Sequence, residues 1–374
     1  MATRFGLVGS GIISEEHALS LRQIPDAAEL TAVFDVVREN AERFAAHCLR
    51  THGIEVEVAK SLDALLARDD VDAVSVCTPS GTHEDIAVRC LTAGRHVLVE
   101  KPLGMSVASV DRIIAARDAS GMTAGVVSQH RFTPGNAAVR RAVEEGRFGR
   151  LTSGSAAVNW YRSQAYYDSA GWRGTRAMDG GALMNQGIHT LDLLCWFLGE
   201  PVEVYAHSGC LAHERVEVED TVTATVRFAG GASATVLATT AAYPGTHVRL
   251  HVNGDRGMAV LEAGALKFFH AAPDGHSTDD PPYDPGTGLD TAEQELGRGG
   301  TSGGTAAWTA HALQMRDFAQ AAHEGRQPAV TLEDGRRTVA LIEAVEDSAR
   351  TGRPIRLDPP PSPRGAHHEK GAFA

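Results

Sequence analysis

The sequence predicts an α/β fold in two parts. A doubly wound parallel sheet comes first, and an α/β domain built on a large, open, mostly antiparallel sheet follows. Three observations lead there. Short apolar runs without alternation recur through residues 3–128, with amphipathic stretches between them, as in strands buried on both faces. Beyond about residue 130 the runs lengthen and alternate, with glycine turns between several of them, which fits a sheet with one covered face. The chain, at 374 residues, is also long for a single core.

The first half reads as strand, helix, strand. The apolar runs are Arg4–Val8, Leu30–Asp35, Ala73–Thr78, His96–Glu100 and Thr123–Ser128. Helical periodicity occupies 13–24, 38–52, 61–67, 82–93 and 106–119. A helix over 135–146 then leads to alternating segments at Leu151–Tyr161, Val202–Gly209, Asp220–Phe228, Ala232–Thr240, His247–Gly254 and Met258–Glu262. One helix near 181–198 interrupts them, and a pair near 308–324 and 333–350 follows. Residues 272–305 are rich in Gly, Pro, Asp and Thr and are expected to form a long loop, as a flap or an oligomer contact. The predicted division is 1–128, 129–358 and a disordered Pro-rich tail over 359–374.

Bulk properties exclude some partners. The 35 basic and 47 acidic residues give a net charge of -12, which argues against nucleic acid or an anionic membrane as a general partner. Hydrophobic content of 43% and charged content of 22% are those of an ordinary globular protein. Cys48, Cys77, Cys90, Cys195 and Cys210 form no C-x-x-C pair. They read as reduced thiols of a cytoplasmic protein. The first strand is expected within a few residues of the amino terminus with no charged-then-apolar leader, and no apolar stretch is expected to cross a bilayer. No residue set reads as a metal centre, and His367-His368 is read as part of a solvated tail.

The first strand runs into Gly9-Ser10-Gly11-Ile12-Ile13-Ser14. Gly9 and Gly11 allow a tight turn and a close approach of backbone to a pyrophosphate, and the amides at Ile12 and Ile13 open the next helix toward its charge. Ser14 stands where the G-x-G-x-x-G fingerprint has its third glycine. Asp35 ends the second strand about twenty residues further on, where a carboxylate receives ribose hydroxyls and repels a 2'-phosphate. The cofactor expected is therefore NAD rather than NADP. Arg38 nearby could hold such a phosphate, and Asp35 could instead cap a helix. Thr78 and Pro79 follow the strand at residue 73 and are expected to line the nicotinamide ribose. His83 is either a further cofactor contact or a structural residue opening a helix. Glu100-Lys101-Pro102 places an amine at the carboxyl end of a parallel strand, where ligands sit in such sheets.

These motifs, with Gly180-Gly181-Ala182-Leu183-Met184-Asn185-Gln186-Gly187-Ile188-His189, resemble the glucose–fructose oxidoreductase / inositol dehydrogenase / rhizopine-catabolism (Gfo/Idh/MocA) superfamily. The likeness runs from residue 4 to about 357 in matching order. Trp160 to Tyr167, Trp172-Arg173-Gly174-Thr175 and Met184-Asn185-Gln186 resemble the branch that contains UDP-N-acetylglucosaminuronate 3-dehydrogenases. The resemblance implies a Rossmann domain and a second α/β domain whose open sheet forms a homodimer or homotetramer interface. It also implies hydride exchange at a secondary alcohol of a sugar, nucleotide-sugar or cyclitol. An NAD-dependent glycosidase with transient sugar oxidation and a non-catalytic NAD-binding sugar sensor are the alternatives.

Oxidation of an alcohol needs a base for the hydroxyl proton. Lys101, beside a cationic nicotinamide, has its ammonium form destabilised. Asn185 and His189 lie one helical turn apart, and His189 has the ordinary pKa of a base near neutral pH. The resemblance implies aspartate at the position of Asn185, so asparagine there leaves only hydrogen bonding and moves weight to His189. Asp192 either orients His189 or serves domain packing. Arg131, Tyr161, Arg162, Tyr166, Tyr167, Trp172 and Arg173 are candidates for the pocket wall. Aromatics suit sugar faces, and arginines suit carboxylate or phosphate. His311 and Gln314 are the remaining candidates to reach the pocket.

Overall fold

A computed structural model describes residues 2–272, 292, 294–296 and 309–357. Nearly all of the expected loop at 272–305, and the expected tail with His367-His368, lie outside the described residues. The parallel sheet is formed by β1 (Thr3–Val8), β2 (Ala28–Phe34), β3 (Glu57–Val58), β4 (Ala73–Val76), β5 (His96–Val99) and β6 (Ala124–Val126). Their order is β3-β2-β1-β4-β5-β6, and every pairing is parallel. Strand order reverses between β1 and β4, so the crevice at their carboxyl ends is where this architecture binds ligands. Helices α1 (Ile12–Arg22), α2 (Arg38–His47), α3 (Leu62–Leu66), α4 (His83–Thr92) and α5 (Val107–Ser120) link the strands.

After α6 (Pro134–Glu144) the second sheet is formed by β7 (Leu151–Asn159), β8 (Pro201–Gly209), β9 (Thr221–Phe228), β10 (Ser233–Thr239), β11 (Arg249–Gly254), β12 (Gly257–Glu262), β13 (Ala265–Ala271) and β14 (Ile355–Arg356). The order is β13-β12-β11-β7-β10-β9-β8-β14, antiparallel except between β7 and β10. Along β9, Val222, Ala224, Val226 and Phe228 are buried while Thr223, Thr225 and Arg227 are exposed. The buried face packs on α6 and α8 (Ile188–Leu198). A short helix α7 (Gln164–Asp168) follows β7.

Two helices close the described chain, α9 (Ala310–Glu324) and α10 (Leu332–Thr351). The sequence groups α9 with the second sheet. Its buried Ala312, Met315, Phe318 and Ala319 instead join Phe5, Leu7 and Leu98 in the core beside the parallel sheet. Of the cysteines, Cys48, Cys77, Cys90 and Cys195 are buried and Cys210 is exposed, all as free thiols. Among the described residues no helix is long and apolar enough to cross a membrane.

Candidate active site

The glycine loop meets β4 closely. Gly9 has φ +90°, and a Cβ there would come within 2.8 Å of the Cys77 carbonyl oxygen. Only glycine adopts that turn against that neighbour without strain. Gly11 caps α1 without any side-chain acceptor, and a Cβ built on it touches nothing. The first-turn amides, which no helix satisfies internally, thus border open space at Ile12 and Ile13. Buried Ser14 answers the missing third glycine by donating its hydroxyl to the Gly11 carbonyl. Asp35 closes the same end. One carboxylate oxygen accepts from the Ser10 amide at 2.8 Å and hydroxyl at 2.7 Å, and the other from the Val37 amide at 2.9 Å. α2 begins after Val37 with no side-chain cap, so Asp35 is not its cap. Arg38 is turned outward and paired with Glu42 at 2.7 Å.

A cavity of about 1070 Å³ runs from this loop along the sheet crevice. Asp35 borders one end, Thr78 and Pro79 lie along it, and Glu100, Lys101, Asn185 and His189 border the other. The cavity fits a dinucleotide: glycines where a backbone must come close, free amides for phosphate, and a carboxylate for ribose.

Lys101 stands at the far end. Its ammonium donates to the Asn185 carbonyl at 3.1 Å and side-chain oxygen at 3.4 Å. Burial pulls its pKa down from the ordinary lysine value, against the charges of Glu100 and Asp179. Glu100 is buried beneath it and accepts from its own neighbour's amide, Lys101 N, at 3.1 Å and from His17 at 2.8 Å. Burial pushes the Glu100 carboxyl up, but the His17 bond and charge prevail and hold it at about 2. His189 reaches the same cavity from α8. Burial, then the charge of Lys101, drive its pKa well below the usual imidazole value, so its ring is neutral. His130 packs edge-on against it with centroids 4.8 Å apart.

Asn185 does not sit on a regular α-turn before His189. Residues Ala182–Gly187 form a wider π-type turn that leads into α8, a feature frequent at functional sites. The Asn185 amide donates to Asp179 Oδ1 at 2.5 Å.

His189 also borders a second chamber of about 280 Å³, together with His130, Asn136, Trp160, Leu193 and Leu261. Trp160, Thr246 and His247 are shared with an open basin of about 980 Å³ on the far side. Asn136 is 1% exposed, and its Oδ1 has no partner among the described residues.

The structure divides the expected wall residues. Tyr166, Trp172 and Arg173 border the cofactor cavity. Tyr161 and Arg162 border the outer basin. Arg162 donates to Gln186 at 3.1 Å and lies 4.9 Å over the Tyr166 ring. Tyr167 bonds Thr240 at 2.8 Å and is not among the lining residues. Arg131 is off the wall altogether: it is 5% exposed and forks onto Asp192 at 2.8 and 2.6 Å, with Asp334 at 3.3 Å. Asp192 is thereby committed to Arg131 and does not orient His189. His83 is 1% exposed, with its ring nitrogens facing the carbonyls of Pro102 at 2.7 Å and Thr78 at 2.9 Å. It opens α4 and holds those two segments rather than bordering the cavity. Gln314 likewise bridges Val126 O and Ser128 N, at 2.7 and 3.0 Å. His311 packs 5.8 Å from His17; neither it nor Gln314 borders the cavity.

Sequence reading missed Asp179, Gln129, Ser10 and Asn136. Asp179 directly precedes the Gly180-Gly181 pair and could have been found from it. Gln129 borders the cavity with a buried, unpartnered Oε1, and no motif marks it.

Comparison with known proteins follows the same two parts. Residues 3–128 match the oxidoreductase family with an NAD-binding Rossmann fold, and residues 136–260 match the GFO/IDH/MocA C-terminal domain. Inositol 2-dehydrogenase of Rhizobium meliloti is 28% identical over 361 residues, covering 96% of this chain and 100% of the relative. Myo-inositol 2-dehydrogenase of Thermotoga maritima is 30% identical over 266 residues, covering 68% of this chain and 73% of the relative. The solved WlbA dehydrogenase of Bordetella pertussis, in complex with NADH and UDP-GlcNAcA, superposes with a TM-score of 0.80 at 32% identity. It covers 96% of this chain and 98% of its own.

Proposed function

Because the chain belongs to the Gfo/Idh/MocA oxidoreductase family, with an NAD-binding Rossmann fold, we propose that it oxidises or reduces one secondary alcohol of an anionic sugar or nucleotide-sugar. The observation that carries the reading is the shared cavity: Lys101 and His189 border one end of the space whose other end is the glycine loop and Asp35. Asp35 would hold the ribose, and the amides at Gly11, Ile12 and Ile13 the pyrophosphate. Bound NAD supplies the hydride acceptor.

The protein's part is positioning and proton transfer. A deprotonated Lys101 amine takes the hydroxyl proton, helped by the burial that disfavours its ammonium. His189, held neutral, is the weaker proton acceptor and serves as a hydrogen-bond partner for the reacting oxygen. Tyr166 and Trp172 suit the apolar faces of a sugar ring. Arg162 and Arg173 support a negatively charged substrate. They stack on aromatic rings, Arg173 at 4.2 Å from Tyr166 and 4.6 Å from Trp172. Each has a buried Nε without a partner, and neither is ion-paired among the described residues.

The test is NADH formation, followed by absorbance, with a panel of myo-inositol, free hexoses, hexuronates and UDP-sugars including UDP-N-acetylglucosaminuronate. Turnover confined to the anionic members and lost in Lys101→Ala is expected. Turnover on neutral sugars alone overturns the substrate class. Tight NAD binding without any Lys101-dependent turnover overturns the activity.

A further inference from the structure

Asp179 is 3% exposed and borders the cofactor cavity beside Lys101 and Asn185. Its two oxygens are used differently. Oδ2 accepts from the Gly174 amide at 2.7 Å, which anchors the carboxylate to the turn after Trp172. Oδ1 accepts from the Asn185 amide at 2.5 Å. That bond fixes which way the Asn185 amide faces. With its NH2 spent on Asp179, its oxygen is turned to Lys101, 3.4 Å from the ammonium.

We infer that Asp179 is a positioning residue for Lys101: through Asn185 it holds the lysine amine at the cavity end, and its carboxylate sets how readily that amine releases a proton. The inference rests on reading Lys101 as the proton-accepting group. An amide cannot relay a proton as a carboxylate does, but it can transmit orientation. The negative charge then sits one side chain further back, where it steadies the ammonium without competing for the substrate hydroxyl.

The charges around Lys101 are few. Glu100 lies on its own segment, Asp179 on the turn before Ala182–Gly187, and Arg162 beyond β7. His189 on α8, His130 after β6 and His83 on α4 also feel its charge. Burial raises the Asp179 carboxyl above its ordinary value, opposed by the Gly174 bond, Arg173 and Lys101. Asp179 and Glu100 are the carboxylates that favour the ammonium. Glu100 is already held by His17, so Asp179 is the carboxylate whose charge can be tested without breaking that pair.

The experiment follows the protonation of Lys101 directly. The purified full chain is acetylated with acetic anhydride across a pH series, and the extent at Lys101 is read by peptide mass spectrometry. Asp179→Asn is expected to lower the Lys101 midpoint by about one pH unit, since a stabilising negative charge is gone. Exchanging the pair, Asp179→Asn with Asn185→Asp, restores one carboxylate and one amide but brings the carboxylate to the side chain that touches the Lys101 ammonium, and is expected to raise the midpoint back to the parent value or above it. A midpoint that does not move in a folded, NAD-binding Asp179→Asn variant overturns the inference. If Asp179→Asn fails to fold, the exchanged pair decides: a midpoint at or above the parent supports the inference, and one about a unit or more below it sinks it. Labelling needs no substrate, so a failed sugar panel does not touch this result, and an unmoved midpoint does not touch the panel.

Discussion

Burial acts on Lys101 and His189 in the same direction and, in the proposed reaction, suits them to different tasks. Each loses proton affinity on entering the site, but lysine starts from an ordinary value of 10.5 and histidine from 6.5. The lysine is left as the stronger base of the two, although its motif alone gives it no priority over His189. Oxidation should therefore rise with pH as the ammonium empties, with its midpoint below the ordinary lysine value. Lys101→Ala should lower kcat by roughly two to four orders of magnitude with NAD affinity little changed, while His189→Ala should cost less. The pH dependence of kcat/KM checks both. A rate already level from mildly acid pH upward, or a larger loss at His189, would reverse the assignment. Residue types and motif order made Lys101, Asn185 and His189 legible in the chain. Asp179 could be located beside Gly180-Gly181, but its link to Asn185 could not, because that depends on a π-type turn and on where the Asn185 amide points, and neither leaves a period in sequence.

At the scale of elements, the glycine loop carries the clearest constraint. Gly9 and the Cys77 backbone just past β4 approach by geometry, not by chemistry, so any Cβ must move one of them. Gly9→Ala faces both a φ of +90° and a 2.8 Å approach to Cys77 O, and should lose cofactor affinity by tenfold or more, about 1.4 kcal/mol. Titration of NADH fluorescence measures it. Gly11→Ala is the informative partner, since its Cβ meets no protein atom. A loss of NADH binding there, with an unchanged melting temperature, identifies the space beside Gly11 as ligand space; unchanged binding would empty that argument. Strands were legible where burial imposed a pattern: continuous runs in β1, β4 and β5, alternation in β7, β9 and β10. β3 and β14, at two residues each, are too short to show a period. β13 follows β12 through a tight turn at Ala263 and Gly264, both at positive φ, and the composition of the next segment masked it.

The molecule as a whole is tied together at a place where sequence predicted substrate. Arg131 leaves the end of the parallel sheet, Asp192 belongs to the helix that carries His189, and Asp334 lies in the first turn of α10. Their buried contact joins three segments that sequence could only assign one at a time. In the same way, α9 crosses back to the first sheet because its apolar stripe fits there, a fact of packing rather than of period. Charge in such a place costs desolvation that only a complete partner set offsets. Asp192→Ala strands the Arg131 guanidinium, 5% exposed, with Asp334 as its remaining carboxylate, and should cost about 3–5 kcal/mol in urea unfolding. Arg131→Met with Asp192→Leu removes both charges and should recover most of that loss, since an apolar pair of similar volume asks for no counter-charge. The double variant also separates stability from chemistry. If Arg131 contacts no substrate, its turnover and KM stay near the parent values once folding is restored. A single-variant cost below about 1 kcal/mol, or a well-folded double variant with a greatly raised KM, would put Arg131 back on the pocket wall.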